Sequence, residues 1–157
     1  MDMSNNDILR RIRYAFDFSD GEMIDIFKQG ECHVTRAQVS SWLKKDTDAD
    51  FKPLADATMA RFLNGFICKR RGKREGAQPE VELTLNNNII FRKLKIALDL
   101  KAEDVLALLE IGGQRVSKHE LSAFFRNPAH RQYRECQNQI LRKFLHGVQE
   151  KYRKLPS

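Results

Sequence analysis

A chain of 157 residues, 41% hydrophobic and 31% charged, with 8 glycines and 4 prolines, is globular in composition. It is too apolar for a disordered polymer and too poor in Pro and Gly for a linker or fibre. Its 28 Lys and Arg exceed its 21 Asp and Glu, and the net charge of +7 points towards acidic partners. No apolar run approaches the roughly 18 residues of a membrane helix. The opening MDMSNND has no basic and apolar signal region, and three scattered cysteines (Cys32, Cys68, Cys136) suit a reducing compartment. A cytoplasmic protein without a disulfide framework is expected.

The chain repeats itself. NDILRRIRYAFDF from Asn6 lies over NIIFRKLKIALDL from Asn88 at an offset of 82, and 13 of the 66 positions aligned at that offset are identical. Each copy reads as four helices. The first places Ile8, Leu9, Ile12, Ala15 and Phe16 on one face, mirrored by Ile90, Phe91, Leu94, Ala97 and Leu98, with Asn6 and Asn88 as expected N-caps. The second opens on a Ser19/Glu22 capping box, has Met23, Ile24, Ile26 and Phe27 as its apolar positions, and is expected to end in a left-handed turn at Gly30, or at Gly112 in the second copy. The third begins with a capping box in both copies, Thr35 with Gln38 and Ser117 with Glu120, and Pro128 bars its extension in the second. The fourth is predicted from about Pro53 to Arg70 and from about Tyr133 to Arg153. Gly65 and Gly147 sit mid-helix there, where glycine costs about 1 kcal/mol against alanine, which implies close helix–helix approach. Only VELTL (residues 81–85) alternates, and it reads as extended linker.

The expected architecture is therefore all-α: two tandem copies of a four-helix unit packed with pseudo-twofold symmetry. Residues 1–71 form the first repeat, 72–86 the linker and 87–157 the second repeat. A unit of about 65 residues buries little surface alone, so the two should pack into one body with a groove along the pseudo-twofold.

Charge is uneven between the copies. Residues 6–68 carry 9 basic and 10 acidic side chains, a net of −1, whereas residues 88–150 carry 11 and 7, a net of +4. A basic tract, Lys69, Arg70, Arg71, Lys73 and Arg74, follows the first copy. A second cluster, Arg126, Arg131 and Arg134, surrounds Tyr133. Both are candidate contacts for nucleic acid or an acidic protein, through phosphates or carboxylates. The tract alternatively serves the carbonyl end of a helix, and Tyr133 alternatively anchors the fourth helix. The segments flanking Gly30 resemble a helix-turn-helix, but four residues separate Gly30 from the Thr35 cap, more than the tight DNA-binding turn allows. Trp42 and its counterpart Phe124 read as core. Arg10 and Asp17 recur as Arg92 and Asp99 and are candidates for the groove between repeats; Arg13 and Lys95 can pair with the two aspartates at i,i+4.

Catalytic signatures are absent: there is no Gly-rich phosphate loop, no G-x-S-x-G and no H-E-x-x-H. No metal site is expected from the four histidines. Asp46, Asp48 and Asp50 open like a calcium loop, but Phe51 and Ala57 stand where the required Gly and Glu belong. No cofactor is called for.

The blocks NNDILRRIRYAFDF, QVSSWLKK, FLNGFICKRRGKREG, LNNNIIFRKLKIALDLK and SKHELSAFFRNPAHRQYRECQNQILRKFL resemble the YehS-like family of bacterial proteins, domain of unknown function 1456. The resemblance implies a doubled helical unit and a bacterial, cytoplasmic setting, but no activity and no catalytic residue. The leading expectation is a non-enzymatic binding or regulatory module whose basic surface meets nucleic acid or an acidic protein. The alternatives are a small-ligand binder or enzyme using the groove, and a protein–protein adaptor; self-association is open.

Overall fold

The computed structural model describes residues 3–73, 75–76 and 78–153. They form eight helices and, among the described residues, no strand: α1 (Asn5–Phe16), α2 (Asp20–Gln29), α3 (Arg36–Leu43), α4 (Asp56–Arg71), α5 (Asn87–Ala97), α6 (Ala102–Ile111), α7 (Lys118–Phe124) and α8 (Asn138–Tyr152). No helix among them is long and apolar enough to cross a membrane.

Side-chain caps set the starts of α1, α2, α3, α5 and α7. Capping boxes form at Ser19/Glu22, Thr35/Gln38 and Ser117/Glu120, as the spacing predicts. The first helix of each copy departs from expectation. Ser4 and Asn86 are its caps, accepting the N–H of Asp7 at 3.0 Å and of Ile89 at 2.9 Å, so α1 and α5 begin before Asn6 and Asn88. The fourth helices begin late, at Asp56 and Asn138, because the chain leading into each is held by an asparagine of the first helix instead of coiling.

Gly30 and Gly112 do not take the left-handed turn; φ is −89° and −73°, and the residues after them, Glu31 (φ 60°) and Gly113 (φ 91°), do. They are glycines for lack of room. A Cβ on Gly30 would stand 1.8 Å from the Arg61 carbonyl oxygen, and one on Gly65 1.9 Å from that of Ile26. Gly112 and Gly147 repeat this against Lys143 (2.0 Å) and Leu108 (1.9 Å). Thus α2 crosses α4, and α6 crosses α8, at backbone contact, the close approach that Gly65 and Gly147 predict.

Packing between the copies is reciprocal. α1 lies chiefly on α8 of the other copy, and α5 chiefly on α4. The fully buried faces, Ile8, Leu9 and Ile12 on α1 and Phe91 and Leu94 on α5, therefore fill a core shared by both repeats. Burying each such side chain stabilises the fold by about 1.5–3 kcal/mol. Phe16 meets Tyr152 across the boundary at 5.2 Å between ring centroids, and Phe66 at 5.2 Å within its own copy.

The linker breaks the symmetry. Lys93 is 6% exposed, and its Nζ sits 3.0 Å from Glu82 and donates to Asn64 Oδ1; Asn64 in turn donates to the Glu80 carbonyl at 3.0 Å. Two linker residues are thereby strapped over α4 and α5. A buried ion pair of this kind contributes little net stability, yet removing one partner alone strands the other.

Candidate functional site: a cleft on the pseudo-twofold and the arginines at its rim

Asn6 and Asn88 build the site. Asn6 Nδ2 donates to the carbonyls of Trp42 (3.0 Å) and Lys52 (2.8 Å), while its Oδ1 accepts the Leu54 N–H (3.0 Å). Asn88 does the same to Phe124 (3.0 Å), Arg134 (2.8 Å) and Cys136 (2.9 Å). Asn5 and Asn87 add a second brace, to Leu54 and Asp56 and to Cys136 and Asn138, with Nδ2 2.7 Å from the side-chain oxygen in each case. These amides splint an extended segment onto the first helix of its own copy. Both splinted ends face one cleft of about 590 Å³, lined from both repeats by Asn5, Asn6, Leu54 and Asp56 and by Asn86, Asn87, Asn88, Tyr133, Glu135, Cys136 and Asn138, among others. The first turns of α1, α4, α5 and α8 open onto it.

The cleft chemistry is that of neutral amides. Asp56 is engaged on both oxygens, by Asn5 and by the Leu85 N–H at 2.9 Å. Burial pushes the Cys136 thiol up to about 12, so it stands protonated and non-nucleophilic at neutral pH. Burial likewise raises Tyr133, with Glu135 adding to the shift and the Arg92 guanidinium opposing it.

None of Arg10, Asp17, Arg92 and Asp99, expected to line the groove, lines this cleft. Arg10 turns away to donate to the Lys44 carbonyl at 2.6 Å and pairs with Asp7 at 3.4 Å. Asp17 and Asp99 do connect the repeats, but at the carbonyl ends of α1 and α5. In left-handed conformation there (φ 52° and 53°), they pair with Arg153 at 3.6 Å and Arg71 at 2.6 Å, not with Arg13 and Lys95.

The basic tract is largely occupied. Lys69 lies 3.6 Å from Asp25, Arg71 is held by Asp99, and the Arg70 guanidinium sits 5.3 Å from the Phe16 ring centroid and 5.6 Å from that of Tyr152. Lys73 is exposed, and Arg74 lies outside the described residues.

The second cluster is different. Arg126, Arg131 and Arg134 make no ion pair among the described residues, and the Arg126 Nε is buried without a partner. Arg92 joins them. One turn along α5 from Asn88, it is exposed, is felt at Tyr133, and lacks the acid that neutralises Arg10, because Ile89 replaces Asp7. The loop is pinned by the Arg134 N–H donating to the Ala123 carbonyl at 3.2 Å, and Tyr133 and Glu135 on either side of Arg134 line the cleft. In the first copy the equivalents of Arg131 and His130 are Ala49 and Asp48, within an acidic Asp46–Asp50 loop. The charge asymmetry thus resolves into four arginines that make no ion pair among the described residues; two of them, Arg92 (felt at Tyr133) and Arg134 (between Tyr133 and Glu135 in the chain), stand beside the cleft.

Two features of the site are not legible in local sequence. The asparagine brace was signalled by the Asn-Asn pair recurring at the offset, read only as a cap. Lys93 left no trace, since it aligns with Arg11 and has the spacing of a solvated helix face.

The cleft and its braces thus belong to a duplicated helical unit. The family model described as "Protein of unknown function (DUF1456)" matches residues 5–72 and again 87–154, and the chain belongs to this family. It is 41% identical over 147 residues to the uncharacterized protein YehS of Escherichia coli (strain K12), covering 93% of this chain and 94% of that protein. No solved structure gives a significant match.

Proposed function

We propose that the protein is a non-enzymatic binding module that grips a phosphate-bearing partner, nucleic acid foremost, through the arginine rim of the second repeat. The observation that carries this reading is that Arg92, Arg126, Arg131 and Arg134 have no ion-pair partner among the described residues, with Arg92 and Arg134 beside the Tyr133 ring at a cleft. All four are arginines, whose planar forks match phosphate oxygens two at a time. The free cysteines fit work in a reducing, cytoplasmic compartment. Fluorescence anisotropy with labelled single-stranded and duplex RNA at 50–200 mM salt (across which the Debye length falls about twofold) tests it. Binding should weaken steeply with salt, and each of Arg131→Ala and Arg134→Ala should lower the log–log slope by about 1. No binding at the lowest salt, or a slope unmoved by both variants, refutes the reading; binding of polyglutamate in place of RNA would make the partner an acidic protein.

A further inference from the structure

Three observations at the cleft are left over once the rim is assigned to phosphate. First, Tyr133 takes no part in the ring–ring contacts that consume Phe16, Phe18, Phe66, Phe91 and Phe124, although it is half-buried and lines the cleft. Its ring thus has no aromatic neighbour among the described residues. Second, Asn5 and Asn87 spend both Nδ2 hydrogens within the fold and keep Oδ1 without a donor, while Asn86 accepts through Oδ1 and keeps its Nδ2 hydrogens. The cleft therefore offers fixed neutral acceptors and donors together. Third, its volume of about 590 Å³ is in the range of small-molecule sites, which occur preferentially between packed units. An inorganic phosphate would use none of these features.

We propose that the cleft takes one nucleotide unit, its base stacked on Tyr133 with its polar edge on the asparagine amides, and its phosphate on Arg92 and Arg134. This deepens the phosphate-binding reading and rests on it. The chemistry follows from the residues: a nucleobase presents a flat π-face and an alternating donor–acceptor edge, and base–aromatic stacking is tolerant of sequence. Neither Arg92 nor Arg134 lines the cleft itself; Arg92 is felt at Tyr133 and Arg134 follows Tyr133 in the chain, so a phosphate held by them stands outside the base, at the cleft's edge. The Glu135 carboxylate at the same wall repels a bare phosphate and leaves a neutral base unopposed.

Calorimetric titration of the full chain at low salt decides it, using the four ribonucleoside monophosphates, the four ribonucleosides, inorganic phosphate and a single-stranded ten-nucleotide RNA. At least one monophosphate should bind tenfold or more tightly than its nucleoside or phosphate. Tyr133→Ala should weaken that binding by about tenfold, Tyr133→Phe should retain it, and Glu135→Gln should strengthen phosphate alone. Competition between the RNA and that monophosphate supports the site with a nucleic-acid strand as the source. Binding of monophosphates without RNA supports it with a free nucleotide as the source. RNA binding indifferent to Tyr133→Ala and matched by phosphate overturns the cleft assignment and leaves the arginine rim standing. If nothing binds, both fall.

Discussion

Asn6 and Asn88 each satisfy three backbone groups that would otherwise be stranded against the core. Removing one amide leaves two carbonyls and one N–H without partners, at about 1–3 kcal/mol for a buried unsatisfied group. Asn6→Ala should therefore cost about 3 kcal/mol in urea unfolding, seen as a lower midpoint with an unchanged m-value. Asn6→Asp should be no better, because a carboxylate cannot donate to the Trp42 and Lys52 carbonyls. Cys136 makes a second prediction at this scale. Its folded pKa of about 12 exceeds the ordinary 9.0, so the stability it confers is complete below pH 9 and is lost as pH rises towards 12, where the unfolded thiol ionises first. Cys136→Ala should flatten that alkaline loss relative to the parent chain, and native Cys136 should resist thiol reagents until the protein unfolds.

At the level of elements, the two glycine crossings dictate how closely helices approach. Gly65→Ala and Gly147→Ala both drive a Cβ into a backbone carbonyl, where no rotamer offers relief, and each should destabilise by about 3 kcal/mol. Gly21→Ala is the contrast: it lies in α2 with its nearest neighbour 3.9 Å from the added carbon, and should stabilise by roughly 0.5 kcal/mol. Thermal melts of the three variants check both signs. These glycines also show what can be read from sequence. A mid-helix Gly is a local anomaly whose cost announces a packing reason, and capping boxes are complete within four residues. The starts of α4 and α8 were misplaced because they depend on an asparagine 46–48 residues earlier, a contact that local spacing does not encode. Likewise Asp17 has an i,i+4 partner in Arg13 but finds Arg153, since the left-handed cap turns it towards the other copy.

Across the whole molecule, the second copy has kept the scaffold and changed the charge. The core positions at the 82-residue offset stay apolar, while Asp7 becomes Ile89 and the Asp46–Asp50 loop becomes one bearing His130 and Arg131. Because α1 packs on α8 and α4 on α5, neither repeat holds its full core alone. Residues 1–72 or 87–157 expressed separately should show no cooperative melt, whereas mixing the two should restore one; an independent sharp transition in either half would contradict the reciprocal packing.

Reciprocal packing also orders events during synthesis. The apolar face of α1 is complete once Phe16 has been added, yet its main partner begins at Asn138. About 120 residues separate them, and translation at ~5–20 residues per second leaves Ile8, Leu9 and Ile12 without that cover for roughly 6–24 s. Of the eight helices, α1 is made before the other seven and is among the last to be enclosed. Until then its apolar face is open to water and to other nascent chains, which makes this interval the one in which the chain is most prone to aggregate.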